Sequence, residues 1–544
     1  MRARFRRQSP WVWATALITG LIALPLLFVL SRLVEGGTSG LFGAVFGPTT
    51  RGYLWNTLRL FLGVGVLCFV WGVGTAWLVT QYEFPGRRGL SGALILPLVI
   101  PTYILAYAYA GALDVTGPIE GLLRGWWGAP VGRARRVPFE IMSLWGLTLL
   151  LALNLYPYVL MTCRAAFARQ SVGVWEVAKS LGVGPWRTFF TVILPMTRPA
   201  WVGGLTLCML EVVNDYGAAE YYGVDTFATA IFRAWFGRDD APLAIRMAAL
   251  LMLLVLVLLG LERWQRGEAR YHEGKSVRPM LRQPLHGGWA WMATLFCVVP
   301  FFFGFVLPVL QLGLWTWQTG SKHLNAGFGR LLMNSVWVAG SVAFCAVGVA
   351  LLIAYTVRVF EGPWVQRMAR LALVGYSIPG TVIAVGVMVV AAQVDRLLMD
   401  WRWTHQTILG GSFGLLLAAF VVRFLMVAYS PIETGFQKNG RNLNEAARLL
   451  GHPPWRTLWL VELPLMKSAL LAAFLLVFID ALKELPLTLF LRWGNFQTLS
   501  TEIYNYAKQM EVAEEAGLYA LFLVSVGMIP VFVLEKLLGH QGER

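Results

Sequence analysis

Charge is scarce in this sequence: Asp, Glu, Lys and Arg together make up 14% of 544 residues, against 57% hydrophobic ones. A soluble fold of that length needs far more polar surface, so an aqueous globular protein is excluded. Cysteine is sparse as well. The five (Cys68, Cys163, Cys208, Cys297, Cys345) lie in or at the ends of apolar runs, without the close spacing of a metal site or the loop placement of a disulfide framework. Six histidines form no HxxxH pair, so no histidine-built metal cluster is expected and no metal ligand is assigned. No Ser/His/Asp or Cys/His set falls on one membrane face, which leaves catalysis without support. A P-loop is missing too. The "GKS" at Gly274 to Ser276 has Ala269 where the first glycine belongs and follows no strand, so the chain is expected to bind no ATP and no other cofactor.

What the sequence has instead is long apolar runs, with a mean hydropathy of +0.62. Runs long enough to cross a bilayer core of about 30 Å as helices recur about twelve times. They cover 11–31, 55–80, 89–113, 141–163, 199–222 and 243–261, then 288–316, 333–357, 371–393, 406–429, 468–490 and 516–535. The expected fold is all-α and polytopic. The first run follows "MRARFRRQ" but is long and lacks a small-residue cleavage site, so it reads as a retained span and not a signal peptide. Placing the N-terminus inside puts roughly 28 of the Lys and Arg on the cytoplasmic side, which favours both termini cytoplasmic. The loop with Arg133, Arg135 and Arg136 is the exception. The net charge of +16 is then topological: the bases are scattered over short loops, and no nucleic-acid partner is expected. Membrane lipid is.

The chain repeats itself. "EVAKSLGVGPWRTFFTVILP" from Glu176 matches "EAARLLGHPPWRTLWLVELP" from Glu445 without a gap, and the pairing continues to Thr229 and Thr498. Upstream, Asn56 pairs with Asn334, Pro85 with Pro363 and Pro101 with Pro379. Two parallel six-span repeats follow, one over 1–262 and one over 288–544, joined by an Arg-rich cytoplasmic linker over 263–287. The duplicated unit sits between the fourth and fifth spans of each half, where hydrophobicity alone calls only for a turn. Gly182 or Gly451 closes a short helix through the left-handed conformation, Pro185 or Pro454 starts the next, and Pro195 or Pro464 bends the chain where the fifth span begins. One such loop is an ordinary interfacial helix. Two at equivalent positions suit a soluble partner with two equivalent docking surfaces.

These residues resemble a known family. "EVAKSLG" and "EAARLLG", each with proline thirteen positions past its glycine, are similar to the EAA loop of binding-protein-dependent ABC importer permeases. The resemblance implies the type I importer permease fold, a periplasmic substrate-binding protein, and two copies of a separate Walker-motif ATPase that uses ATP and Mg2+. It also implies an ATPase-coupling role for Glu176, Ala178, Gly182 and Pro195, and for Glu445, Ala446, Ala447, Gly451 and Pro464. Val177 departs from the usual alanine. The stretches from Asn214 and from Lys483 resemble fused ferric-iron permeases of the bacterial inner membrane, although thiamine and phosphonate permeases share the scaffold and an Arg-Glu-x-x-Glu iron motif is absent. The rival class is the twelve-span major facilitator, whose basic loop "PGRR" at Pro85 to Arg88 resembles. It gives the duplicated loop no role.

Acids inside membrane spans are costly and generally face a cavity or one another. The fifth spans each hold two: Glu211 with Asp215, and Asp480 with Glu484, in matching register and spaced to share a helical face. Four carboxylates with Tyr216 would form an oxygen-rich substrate pathway suited to a hard cation such as ferric ion. The plainer alternative is that Lys483 neutralises Asp480 or Glu484 and the acids are structural.

Overall fold

A computed structural model describes residues 10–32, 47–113, 140–168, 180–266, 282–323, 326–360, 362–440, 442–509 and 514–542, with Gly117, Pro118, Gly121 and Ala178 besides. The architecture is all-α. Among the described residues the one strand pairing is two residues long, Tyr82–Glu83 running parallel to Gln283–Pro284. It fastens the chain leaving the inter-repeat linker to the turn after the second span.

Among the described residues eight helices are long and apolar enough to cross a membrane unbroken: Pro10–Ser31, Thr50–Gln81, Leu144–Ala168, Ala241–Gln265, Gly288–Gly320, Gly327–Val359, Gly380–Asp400 and Phe413–Lys438. Three more spans are bent pairs: Arg87–Val99 with Thr102–Ala112, Trp186–Met196 with Arg198–Asn214, and Pro454–Leu465 with Lys467–Lys483. The helix Gly517–Gly542 takes the twelfth apolar run.

The third spans are broken by proline. Ile100 (φ −81°, ψ 119°) and Ile378 (φ −95°, ψ 132°) are extended, because each precedes a proline that excludes the helical conformation and removes a backbone donor. The ninth span, expected over 371–393, is therefore displaced. It consists of Pro363–Ala372, a tight turn over Leu373–Ser377, and the helix Gly380–Asp400 that starts just after Pro379.

The repeats interlock. The first span packs on the second half, against Pro363–Ala372 and Gly380–Asp400, with the Thr19 hydroxyl donating to the Met368 carbonyl at 3.3 Å and Trp11 edge-on to Tyr355. The seventh span returns the contact: Tyr109 donates to the Phe303 carbonyl at 2.5 Å, and Thr294 to that of Pro85 at 2.9 Å. Each half's opening span thus packs on the other half, so the boundary between the repeats in sequence is not a boundary in packing.

Backbone approaches are close beside the ninth-span break. A Cβ on Gly375 would lie 2.2 Å from the Val422 carbonyl oxygen, a backbone atom that cannot give way, whereas one on Gly20 would meet nothing. Gly375→Ala is expected to destabilise the protein by about 1–3 kcal/mol and Gly20→Ala to leave it unchanged, read as thermal unfolding in detergent. An unaltered melt for Gly375→Ala would contradict this packing.

Candidate functional site

Four chain breaks meet at one place. The fifth span of the first half ends at Asn214, with Asp215 extended (φ −73°, ψ 109°) before a short helix at Gly217–Tyr221. The fifth span of the second half ends at Lys483, with Glu484 extended (φ −68°, ψ 123°) before Pro486–Leu491. Together with the break at Ile100 and with Tyr376, two residues before the break at Ile378, these line a cavity of about 110 Å³ that all four candidate carboxylates and Tyr216 border. The expected shared helical face is corrected in its geometry: Glu211 and Asp480 are on helices, whereas Asp215 and Glu484 are in the breaks. The causes are local. Asp215 bends its oxygen back to accept from the amides of Ala218 (2.9 Å) and Ala219 (3.4 Å), a side-chain bond that competes with helix continuation. In the other half Pro486 has no amide to offer Leu482, whose carbonyl instead accepts from Ser500 at 2.6 Å.

The broken backbone is satisfied by side chains from the fourth spans. Asn154 donates to the carbonyls of Pro97 and Ile100, both at 2.8 Å, and Arg423 donates to that of Ile378 at 3.1 Å. Asn154 and Arg423 are equivalents in the repeat. Across the halves, Asn214 accepts from the Gly380 amide at 2.9 Å and so caps the ninth-span helix. Leaving such groups unpaired at membrane depth costs several kcal/mol each, which is why non-helical backbone there is buried against partners or lines a cavity.

The charges are unequal between the halves. Lys483 pairs with Asp480 at 2.9 Å and Arg423 with Glu484 at 3.4 Å. Glu211 and Asp215 have no ion-pair partner among the described residues. The cavity is therefore bordered by four acidic and two basic side chains, a formal excess of two acids, with the unpaired ones on the first half. The pairing of Lys483 with Asp480 agrees with the plainer alternative for that acid. Among the described residues no three of His, Cys, Asp and Glu come close enough to hold a metal ion, so the four acids border one space without converging. Sequence reasoning missed Arg423, Asn154, Asn214, Tyr158 and Tyr376, all of which border the cavity. The rule that singled out the acids applies equally to Arg423, an ionisable residue in the apolar run "LAAFVVRFLMVAY".

Beyond the carboxylates, on the side away from the duplicated loops, aromatic residues of both halves close over one another. Tyr216 stacks on Phe232 (3.5 Å between centroids), Phe232 meets Phe490 (4.2 Å), and Phe236 lies 5.0 Å from Phe490. The hydroxyls of Tyr216 and Tyr504 are 2.9 Å apart. Tyr216 thus belongs to this aromatic layer as well as to the cavity, with its hydroxyl already engaged. Matching threonine capping boxes, Thr226 with Thr229 and Thr498 with Thr501, start the short helices behind the layer.

The duplicated loops share one geometry. Gly182 (φ 72°) and Gly451 (φ 84°) are left-handed. The following residue folds back in each copy, Val183 to the Ala178 carbonyl at 2.9 Å and His452 to that of Ala447 at 3.2 Å. Ala178 and Ala447 are buried, whereas Glu445 and Ala446 are exposed; Glu176 lies outside the described residues. The bend assigned to Pro195 and Pro464 is corrected to Thr197 (70°) and Met466 (81°). A wide π turn, Phe189–Ile193 or Leu458–Glu462, runs into each proline and accommodates its missing amide, so the helix gives way two residues later. Each loop exposes the same apolar triad: Leu181, Trp186 and Phe190, or Leu450, Trp455 and Trp459.

Residues 69–268 and 346–541 each match the family described as the binding-protein-dependent transport system inner membrane component. The chain is 26% identical over 540 residues to an Fe(3+)-transport system permease protein of Haemophilus influenzae, covering 98% of this chain and 99% of the relative. It is 23% identical over 510 residues to a ferric transport system permease protein of Actinobacillus pleuropneumoniae, covering 89% and 71%. A molybdenum transport system permease protein of Escherichia coli is 30% identical over 168 residues, 30% of this chain and 69% of that one.

Removing Arg423 alone leaves Glu484 buried and uncompensated, so Arg423→Met should destabilise the protein by about 3 kcal/mol or more. Arg423→Met combined with Glu484→Gln should recover most of that loss. Thermal unfolding of the two variants checks it, and equal melts would show that the pair is not coupled.

Proposed function

Because the chain belongs to the family of binding-protein-dependent transport system inner membrane components, we propose that it is the permease of an ATP-driven importer whose cargo is ferric iron. A periplasmic binding protein delivers the cargo, and two copies of a separate ATPase, using ATP and Mg2+, dock on the two duplicated loops. Both chain termini then lie on the cytoplasmic side. The facilitator alternative has no place for a family match that spans both repeats.

The observation that carries the cargo reading is the cavity: carboxylates and phenols supply oxygen ligands, and two acids of the first half are left without a cation. Hard cations favour such ligands, and a site with excess negative charge disfavours oxyanions by direct repulsion. The likeness over nearly the whole chain to a protein named for Fe(3+) transport supports the same cargo over molybdenum, whose named relative matches only part of the chain.

The mechanism follows from the geometry. In the described state the aromatic layer closes one side of the cavity. ATP binding draws the two loops together, the six-span bundles rock, and the layer, held between halves by ring contacts and one hydroxyl pair, parts so that cargo reaches the acids. Asp215 and Glu484, in breaks instead of helices, move with the short segments that follow them. ATP hydrolysis returns the closed layer. The chain itself makes and breaks no covalent bond.

Two measurements test this reading in liposomes holding the complete complex. Glu211→Gln with Asp215→Asn should lower ferric uptake by about tenfold or more, while hydrolysis stimulated by the binding protein persists. Wild-type uptake in that variant would remove the acids from the path. Gly182→Val and Gly451→Val force a β-branched residue into a left-handed turn with no steric neighbour to blame. Both should uncouple hydrolysis from uptake, and unchanged uptake in both would remove the loops from the coupling.

A further inference from the structure

The two duplicated loops are fastened to the bundle by different chemistry. In the first half the fastening is aromatic: Trp77 of the second span packs on Phe189 of the loop and on Phe167, at 4.7 Å and 5.2 Å between ring centroids. In the second half the equivalents of Trp77 and Thr80 are Tyr355 and Arg358, and the equivalent of Ile193 is Glu462. There the fastening is polar. Tyr355 donates to the Pro454 carbonyl at 2.6 Å, Arg358 pairs with Glu462 at 3.0 Å, and Asn444 donates to Glu462 at 3.1 Å. Arg358 also donates to the carbonyls of Phe436 and Gly440. Glu462 is fully buried.

This ion pair joins four segments: the second span of its half through Arg358, the end of the fourth through Phe436 and Gly440, the helix before Gly451 through Asn444, and the π turn after it through Glu462. A buried ion pair gives little stability over apolar residues of similar size, and the equivalent positions of the first half, Thr80 and Ile193, carry no charge. What it adds is direction: one guanidinium donates to the Phe436 and Gly440 carbonyls while its Nε faces Glu462, and such a fixed fork sets relative orientation where apolar packing permits sliding. The fourth-span helix, Phe413–Lys438, carries Phe436 at one end of the link and Arg423 at the other. They are about 20 Å apart along one continuous helix that passes through Pro431 between them, and Arg423 holds Glu484 and the ninth-span break.

We propose that Arg358 and Glu462 are positioning residues that make the second loop the stiff lever of the pair, passing its displacement through the fourth span of that half to Arg423 and the cavity. The proposal rests on the reading that the loops meet the ATPase. The two copies are then unequal in function: the second transmits through a directional polar joint, the first follows through aromatic packing.

The test exchanges the joint for its first-half counterpart, Arg358→Thr with Glu462→Ile, in the complete complex reconstituted with its ATPase and binding protein. Arg358→Lys serves as a second variant that keeps the charge but loses the fork. Three quantities are read: ATPase retained on purification, hydrolysis stimulated by the binding protein, and cargo transported per ATP. The expected result is retained ATPase, hydrolysis within about twofold of wild type, and transport per ATP down about tenfold in the exchange and by a smaller factor in the lysine variant. A wild-type transport ratio in either variant would overturn the proposal. So would loss of the ATPase from both, which would make the pair a scaffold of the docking loop. If wild-type permease fails to retain any ATPase, the failure lies with the docking reading, and the lever falls with it.

Discussion

Backbone that leaves the helix inside a membrane bundle must find partners there, and the rest of this structure is organised around four places where it does. The breaks at Ile100, Ile378, Asp215 and Glu484 free carbonyls and amides inside the bundle. Asn154 and Arg423 satisfy the first two, and Asn214 reaches from one half to cap a helix of the other. The same breaks create the space that the carboxylates border. A helix bundle without them would have neither a cavity nor a reason to tolerate six ionisable groups in its middle.

The repeat shows what duplication preserved and what it let diverge. The positions of the breaks, the left-handed glycines, the π turns and the capping threonines recur in both halves. The electrostatics do not. Asparagine stands opposite arginine at 154 and 423, and asparagine opposite lysine at 214 and 483. Both substitutions place cations on the second half, where they pair with Glu484 and Asp480, and leave Glu211 and Asp215 without an ion pair of their own among the described residues. The cavity is therefore pseudo-symmetric in shape and polarised in charge, which on the proposed reading suits passage of a cation along one wall with the neutralising groups on the other.

Much of this was legible in the sequence, and what was not has physical causes. Apolar length located the spans, the internal match located the repeats, and the cost of intramembrane charge located the four acids. The rule was not carried to Arg423, whose partners Glu484 and Ile378 are distant in sequence. The helical spacing of Glu211 and Asp215 was misleading, because spacing cannot tell that an Asp side chain will cap the next helix and end its own. The bends were placed at Pro195 and Pro464 by the missing amide, but π turns before them absorb that defect and shift the bend. Nor does local pattern reveal that each half's first span packs on the other half, since that depends on which apolar surfaces remain uncovered after the remaining spans assemble.

The central claim is that cargo cations pass along the first-half wall of the cavity, between Glu211 and Asp215, while Arg423 and Lys483 stay paired with their own acids. Anomalous X-ray scattering at the iron edge, from the complete complex trapped with ferric cargo, tests it most directly. The account predicts an iron peak bordered by Glu211 and Asp215 with both ion pairs intact. An iron peak outside the cavity, or density for an oxyanion held by Arg423 and Lys483, would contradict it.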